Sequence, residues 1–239
     1  MNTVYQHIKT SNQKLLAVLM DPDKMNLEAI AGFIEKVNTT VTTHIFVGGS
    51  TVDEGVVTPF VEEIKRYTKL PVILFPGDTT QLTENADALL FLSLISGRNP
   101  EYLIEKQVQS VSRLRAMSLE VIPTGYILIE NGKETAVQRV SKTQPMERID
   151  ISKIVDTAKA GELLGMQLVY LEAGSGALHP VNKEIITAVK RDLNIPLIVG
   201  GGIRNKIQLM EAYNAGADLV VIGTAFENDE TFFNELINL

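Results

Sequence analysis

A buried strand runs directly into a loop of small residues at Leu168-Val169-Tyr170-Leu171-Glu172-Ala173-Gly174-Ser175-Gly176-Ala177. Tyr170 and Glu172 share one face of the strand, because successive strand side chains point to opposite faces. Gly174, Ser175 and Gly176 come next, and such small residues leave backbone N–H groups uncovered. A carboxylate beside a backbone nest is typical of a site for a polar, negatively charged substrate.

The same order of strand, glycine and helical pattern occurs twice more. Residues 196–199 lead into Gly200-Gly201-Gly202-Ile203-Arg204, and residues 219–222 lead into Gly223-Thr224-Ala225-Phe226. Apolar runs that alternate with helical patterns indicate parallel strands. The three glycine-bearing turns are therefore expected to lie together, at the carboxyl ends of neighbouring strands.

The rest of the chain continues this alternation. Strands are predicted over 14–20, 44–47, 71–75, 88–92, 119–126, 168–172, 196–199 and 219–222. Helices are predicted over 26–37, 53–68, 99–117, 151–164, 182–192, 205–214 and 229–237. Eight strands in 239 residues favour a closed (β/α)8 barrel, with a doubly wound open sheet as the alternative. We expect residues 1–239 to form a single domain.

Two places depart from this regular alternation. Only residues 76–87 separate the third strand from the fourth, and a full crossover with its helix needs at least about 10–12 residues, loops included. The third outer helix is therefore predicted to be short or missing, which leaves an apolar flank of the sheet partly open. The second place is Asn131-Gly132, which lies between apolar runs at 127–129 and 135–137 and predicts a hairpin.

The composition narrows the classes of function. A net charge of −7 without a basic face gives no sign of a nucleic-acid partner. Apolar runs such as 88–95 are too short for a transmembrane segment, and no N-terminal signal pattern is present. The chain has no cysteine, which excludes disulfides and thiol catalysis and makes the cytoplasm the expected location.

The glycine turns are candidates for phosphate binding. In (β/α)8 barrels the active site lies at the C-terminal ends of the strands, and phosphate often sits in the loops after strands seven and eight. Gly201, Gly202, Gly223 and Thr224 occupy those loops. The alternative is that the glycines only permit tight turns.

Other polar residues stand at the same predicted edge. Asp21 and Ser50 follow strands one and two and could hold Mg²⁺, although Asp21 could instead cap the next helix. Glu172 either orients or deprotonates a hydroxyl, or it pairs with an Arg or Lys across the barrel mouth. Arg204 is an anion contact or a solvated residue, and His179 could face the mouth.

Several segments together resemble the geranylgeranylglyceryl phosphate synthase family. They cover nearly the whole chain, and the most specific of them is the 170–177 block. They are Asp21-Pro22-Asp23-Lys24, Val47-Gly48-Gly49-Ser50-Thr51, Phe75-Pro76-Gly77-Asp78, Tyr170-Leu171-Glu172-Ala173-Gly174-Ser175-Gly176-Ala177, Val199-Gly200-Gly201-Gly202-Ile203-Arg204 and Gly223-Thr224. The resemblance implies a modified TIM barrel and a Mg²⁺-dependent prenyltransferase. Such an enzyme joins geranylgeranyl diphosphate to the 3-hydroxyl of sn-glycerol 1-phosphate as an ether.

The resemblance also implies roles for individual residues. Asp21 and Ser50 would hold Mg²⁺. Glycerol phosphate would be bound by Tyr170, Leu171, Glu172, Ala173, Gly174, Ser175, Gly176, Gly201, Gly202, Gly223 and Thr224. A homo-hexamer is expected, with product release at a membrane surface.

The chemistry of these residues fits that reaction. An allylic diphosphate leaves once its charge is neutralised, and Glu172 is the candidate catalytic residue that accepts the proton of the attacking hydroxyl. The open flank, lined by Phe75, Leu90, Leu92 and Tyr126, would hold the prenyl tail. Alternatives are another prenyl length such as heptaprenyl, a phosphosugar isomerase or lyase, a flavin-binding barrel, and a non-catalytic binding module.

Overall fold

Eight parallel strands close into a barrel in chain order. The computed structural model describes residues 3–223, 225–226 and 232–237. The strands are β1 (Leu15–Met20), β2 (His44–Val47), β3 (Val72–Leu74), β4 (Ala88–Leu94), β5 (Glu120–Leu128), β6 (Leu168–Glu172), β7 (Leu197–Gly200) and β8 (Leu219–Ile222). β8 pairs with β1, Leu219 beside Leu15, which closes the sheet. The predicted closed barrel is confirmed, and the open sheet is wrong.

Helices surround the barrel and follow most of the predicted ranges. They are α1 (Val4–Thr10), α2 (Leu27–Asn38), α3 (Val57–Tyr67), α4 (Lys106–Leu114), α5 (Ala136–Ser141), α6 (Ile151–Leu163), α7 (Lys183–Asp192) and α8 (Lys206–Ala215). A π-helical turn, Glu101–Glu105, precedes α4, and a short helix at Phe232–Glu235 follows β8. Of the helix predicted over 229–237, residues 229–231 lie outside the described residues. None of the helices in the described ranges combines the length and apolar character that a membrane span requires.

The third outer helix is missing, as predicted. All of residues 75–87 are described, and none of them is helical. This segment, which we call the β3–β4 segment, connects its two strands through turns alone. The outer surface of the sheet is therefore covered differently here from elsewhere in the barrel.

The strands are buried on both faces. On β6, Leu168 and Tyr170 belong to the cluster inside the barrel, whereas Val169 and Leu171 pack in the layer between strands and helices. Parallel strands buried in this way read as continuous apolar runs rather than as alternating patterns.

The predicted hairpin at Asn131-Gly132 is wrong. Ile129 forms a parallel bridge with Met146, and the apolar run at 135–137 begins helix α5. The hydroxyl oxygen of Thr135 accepts a hydrogen bond from the backbone N–H of Gln138, so Thr135 caps that helix. A helix cap thus replaces the second strand that the turn signal implied.

Helix α1 closes the N-terminal end of the barrel. The backbone amides of Val4 and Tyr5 donate to the carboxylate of Glu120, with N···O distances of 2.7 and 3.1 Å. His7 Nδ1 lies 3.3 Å from His44 Nε2, and burial, followed by the charge of His7, lowers the pKa of His44 to about 3. Glu120 and His44 begin their strands, so α1 lies at the end opposite the candidate site.

Candidate active site

A cavity of about 380 Å³ lies at the C-terminal mouth of the barrel. Its lining includes most of the residues that the sequence singled out. These are Asp21, Ser50, Tyr170, Glu172, Ser175, Gly176, Gly201, Gly202 and Gly223. The structure therefore brings the proposed metal ligands and the glycine turns around one cavity. Thr224, predicted to bind substrate, lies outside the described residues.

Three other predicted substrate-binding residues do not line the cavity. The side chains of Leu171 and Ala173 are buried in the layer between strands and helices. Gly174 instead donates its backbone N–H to Glu172 Oε1, at 2.5 Å. Leu171 and Ala173 could reach a ligand only through their backbone atoms, and substrate contact by these three residues stays a prediction.

Glu172 is a buried carboxyl group held by hydrogen bonds. It ends β6, and only 5% of it is exposed to solvent. Burial raises the pKa of Glu172 to about 7, although hydrogen bonds from the Gly174 amide and the hydroxyls of Tyr170 and Tyr126 oppose the shift. Among the residues that the structure describes, no Arg or Lys contributes to the pKa of Glu172, so the ion pair considered as its alternative role is not seen there. A carboxyl group that titrates near neutral pH is suited to proton transfer.

Aromatic rings fix the two tyrosines. The ring of Phe75 is stacked on Tyr170, with centroids 5.1 Å apart and planes 7° from parallel. Phe75 also contacts Tyr126, at 5.8 Å between centroids. In the sheet register Tyr126 is paired with Tyr170, which sets both hydroxyls beside the same carboxylate. Burial raises the pKa of both tyrosines well above 10, so their hydroxyls stay protonated donors.

The glycine turns let the loops after β6 and β7 come together. Gly201 has φ +86°, and a Cβ added to it would lie 2.5 Å from both Glu172 Oε1 and the backbone N of Gly174. Gly202 also has a positive φ, of +75°. Only glycine adopts such backbone conformations readily, so the loops can approach closely only without side chains here.

Asp21 and Ser50 form the opposite side of the rim. Asp21 Oδ1 accepts a hydrogen bond from the backbone N–H of Asp23, at 3.1 Å, and Oδ2 lies 3.5 Å from Lys24 Nζ. Asn26 occupies the N-cap position of helix α2, although its side chain makes no capping hydrogen bond, so Asp21 is not the N-cap of that helix. Within the part of the chain that the structure describes, no three His, Asp or Glu residues group as a metal site. One carboxylate and one hydroxyl suit Mg²⁺, which completes its shell with water and phosphate.

The cavity extends from the mouth toward the β3–β4 segment. Phe75, Leu90, Leu92 and Tyr126 line it, but they belong to the cluster inside the barrel or pack against it, so the prediction that they line an open flank of the sheet is wrong. Leu82 of the β3–β4 segment and Leu89 of β4 also line it, and both belong to the outer layer of the core. The apolar part of the cavity therefore passes from the inside of the barrel into the outer layer.

An ion pair that the sequence did not reveal joins the β3–β4 segment to helix α4. Lys106 Nζ bonds to the carboxylate of Asp78 and lies 5.1 Å from the ring centroid of Tyr102. Although burial acts in the opposite direction, Asp78 raises the pKa of Lys106. Asp78 belongs to one of the segments that resemble the family. Lys106 lies in a predicted helix with nothing in the sequence to mark it, so only the fold shows that the two residues pair.

Two weaker sequence candidates have other contacts. The guanidinium of Arg204 donates to the backbone carbonyls of Ala177 and Leu178, so it supports the loop after β6. Arg204 also lines the cavity, and its contact with an anion stays a prediction. The ring of His179 lies beside Gly132 rather than in the cavity lining. The expectation that His179 faces the mouth is therefore wrong.

Known proteins match this chain along almost its whole length. The PcrB family matches residues 8–238. A geranylgeranylglyceryl phosphate synthase of Zunongwangia profunda is 62% identical over 219 residues, which cover 92% of this chain and 93% of that protein. Another, of Flavobacterium johnsoniae, is 54% identical over 237 residues and covers 98% of both chains.

A solved structure agrees with the sequence matches. The crystal structure of (S)-3-O-geranylgeranylglyceryl phosphate synthase from Thermoplasma acidophilum, in complex with its substrate sn-glycerol-1-phosphate, aligns with a TM-score of 0.93. It is 35% identical in sequence, and the alignment covers 99% of this chain and 96% of that chain.

Proposed function

The chain belongs to the PcrB family, and from this premise we propose that it transfers a geranylgeranyl group from geranylgeranyl diphosphate to the 3-hydroxyl of sn-glycerol 1-phosphate. The products are the ether geranylgeranylglyceryl phosphate and diphosphate. The observation that carries the proposal is the buried Glu172 in a cavity with glycine turns on one side of its rim and Asp21 on the other. The relatives are geranylgeranylglyceryl phosphate synthases, which supports a geranylgeranyl group as the group transferred. The related structure with bound sn-glycerol-1-phosphate supports that compound as the acceptor.

The glycine turns are the proposed site for the phosphate of the acceptor. Gly201 and Gly202 line the cavity, and α8 follows them. Backbone amides near a helix N-terminus favour an anion, and glycine lets the anion approach closely. Phosphate bound here would leave the glycerol hydroxyls near Glu172, since Gly201 lies against that carboxylate.

Glu172 is the proposed proton acceptor. The bond between the allylic carbon and the diphosphate oxygen breaks, and the electron pair leaves with the diphosphate. The C3 oxygen of glycerol phosphate forms the new C–O bond, and its proton passes to the carboxylate of Glu172. With a pKa of about 7, this carboxylate is basic enough to take the proton and is still partly ionised at neutral pH.

We further propose Mg²⁺ as the cofactor, held by Asp21 and Ser50. When bound, Mg²⁺ would neutralise charge on the leaving diphosphate. The prenyl tail would lie in the apolar part of the cavity, along Leu90 and Leu92. Holding the allylic carbon close to the glycerol hydroxyl is then largely a matter of position.

The assembly and location of the enzyme are proposals too. Ile104, Val108 and Val111 on the π-helical turn and α4 are exposed by 56%, 65% and 36%, and such an apolar stripe supports a homo-oligomer, by resemblance a hexamer. Light scattering during size-exclusion chromatography would measure the mass. The cysteine-free composition supports a cytoplasmic location, with product release at a membrane surface, which cell fractionation would test.

One experiment tests the reaction directly. The protein is incubated with sn-glycerol 1-phosphate and with prenyl diphosphates of increasing length, with and without Mg²⁺, and products are identified by mass spectrometry. We expect the geranylgeranyl ether only when Mg²⁺ is present. A preference for a longer donor such as heptaprenyl diphosphate would support the alternative chain length, and absence of any ether would refute the proposal.

A further inference from the structure

The β3–β4 segment carries a buried side chain that binds two loops of the rim. Gln81 is only 1% exposed. Its Nε2 donates to the carbonyl of Gly49, at 2.9 Å. Its Oε1 accepts from the backbone N–H of Gly77, at 3.1 Å, and from that of Gly49, at 3.4 Å. One amide side chain thus holds the backbone after β2 to the backbone after β3.

The contacts of Gly49 connect this amide to the proposed metal ligands. A Cβ added to Gly49 would lie 2.5 Å from Asp21 Oδ1, so the carboxylate rests directly against this glycine. Ser50 is the next residue, and a Cβ added to Gly77 would lie 3.0 Å from Ser50 Cα. Any shift of Gly49 would therefore move the surface that both ligands share.

We propose that Gln81 is a positioning residue for the magnesium diphosphate side of the reaction. It fixes Gly49 and thereby the relative placement of Asp21 and Ser50. The inference rests on the proposed function, because it concerns the same metal site. Without the amide, two backbone N–H groups and one carbonyl would lose their buried partner, and the loops could separate.

The β3–β4 segment does not depend on Gln81 for its attachment to the rest of the protein. Lys106 binds Asp78, and Arg113 donates to the carbonyl of Thr79, at 3.0 Å. The side chain of Asn85 donates to Glu62, at 2.8 Å. These bonds tie the segment to α4 and α3, whereas the bonds of Gln81 go to the rim.

The test compares binding of two ligands by calorimetry. The full-length variants Gln81→Met and Gln81→Glu are titrated with inorganic pyrophosphate in the presence of Mg²⁺, and separately with sn-glycerol 1-phosphate. We expect the affinity for magnesium pyrophosphate to fall by about tenfold or more, while the affinity for glycerol phosphate stays within about twofold of wild type. A merely structural defect would weaken both ligands equally.

Asn85→Ala is the matched control, since it removes a side-chain hydrogen bond from the same segment without touching the rim. If neither Gln81 variant folds, the Gly49→Ala variant tests whether the position of Gly49 controls the metal site. It leaves Gln81 in place, and its added Cβ pushes directly on Asp21. It should show the same selective loss.

Four results would overturn the inference. Folded Gln81 variants, or a folded Gly49→Ala, could bind magnesium pyrophosphate like wild type. Both ligands could weaken to the same degree. If wild type makes the ether and the Gln81 variants make it at the same rate, this inference alone is refuted. If wild type binds no magnesium pyrophosphate, the proposed metal site is refuted as well.

Discussion

Gly201 lies directly against Glu172. A Cβ on Gly201 would be 2.5 Å from the carboxylate oxygen that accepts the hydrogen bond of Gly174. The position of the proposed proton acceptor thus depends on the lack of a side chain on the neighbouring strand end. The positive φ of Gly201 makes any replacement costly for the backbone as well.

Gly201→Ala should therefore impair both stability and activity. We expect a loss of about 1–3 kcal/mol in the free energy of unfolding from the positive φ. Displacement of Glu172 should lower kcat/KM by about 10²-fold. Gly165→Ala is the control, since Gly165 has φ +95° but nothing within 4 Å of an added Cβ. It should lose stability alone; equal activity losses in the two variants would contradict the placement argument.

Replacing Glu172 tests its proposed role. Glu172→Gln keeps the size of the side chain but cannot accept a proton, so kcat should fall by about 10²-fold or more. Glu162→Gln removes a carboxylate from the outer helix α6, where it binds Lys159, and should leave turnover unchanged. Near-normal ether formation by both Glu172→Gln and Glu172→Ala would exclude Glu172 as the base.

The rate should depend on pH in a defined direction. Below pH 7 Glu172 is mostly protonated and cannot accept a proton, so kcat should rise through a midpoint of about 7 and level off above it. Tyr126→Phe removes a hydrogen bond that favours the ionised carboxylate, so the midpoint should move to higher pH. Ionisation of the substrate phosphate would not respond to this substitution. A midpoint identical in both proteins would assign the titration to the substrate.

The metal requirement should depend on Asp21. Asp21→Asn removes the charge that we propose for Mg²⁺ binding, so the Mg²⁺ concentration for half-maximal rate should rise by about tenfold or more. Asp23→Asn is the matched control, because the neighbouring Asp23 is absent from the cavity lining. Removal of Mg²⁺ with a chelator should abolish ether formation in wild type. Chelator-resistant turnover would refute the metal proposal.

The length of the donor should depend on the apolar part of the cavity. Leu92→Trp fills space in this part of the cavity. A longer donor buries more methylene groups there and therefore loses more binding energy. The activity with a C20 donor should fall by about tenfold or more relative to the activity with a C10 donor. Leu163→Trp, on the exposed end of α6, is the control for adding a large ring. Equal losses for both donors in Leu92→Trp would show that the tail lies elsewhere.

The barrel and most of its mouth could be predicted because their signals are local. Continuous apolar runs such as 168–171 are typical of strands buried on both faces. The connection between β3 and β4 is at the lower limit of length for a crossover with a helix, which predicts a short or missing helix from local spacing alone. Glycines after consecutive strands share one end of a parallel barrel, so Glu172 and Gly201 could be expected to lie near each other.

The remaining features depend on contacts between distant segments. Tyr126 was predicted as a wall for the tail, and only the sheet register, which pairs it with Tyr170, shows that it also binds Glu172. The partners of Gln81 and Lys106 are equally non-local. Helix α1 is only seven residues long and is stabilised by Glu120, which lies 116 positions from Val4. The hairpin prediction was wrong because Thr135 caps helix α5, and this helix start overrides the turn signal of Asn131-Gly132.

The lack of a helix beside the β3–β4 segment has a consequence for how an amphiphile could be handled. A barrel covered on all sides would have to enclose a lipid precursor completely or leave its hydrocarbon projecting from the mouth into water. If the diphosphate binds at the rim as proposed, the hydrocarbon chain can instead turn sideways between the strands and the β3–β4 segment, where the cavity reaches the outer layer. On that proposal, the residues that carry out the reaction and those that limit chain length would be different, so substitutions could change the preferred donor without altering the catalytic residues.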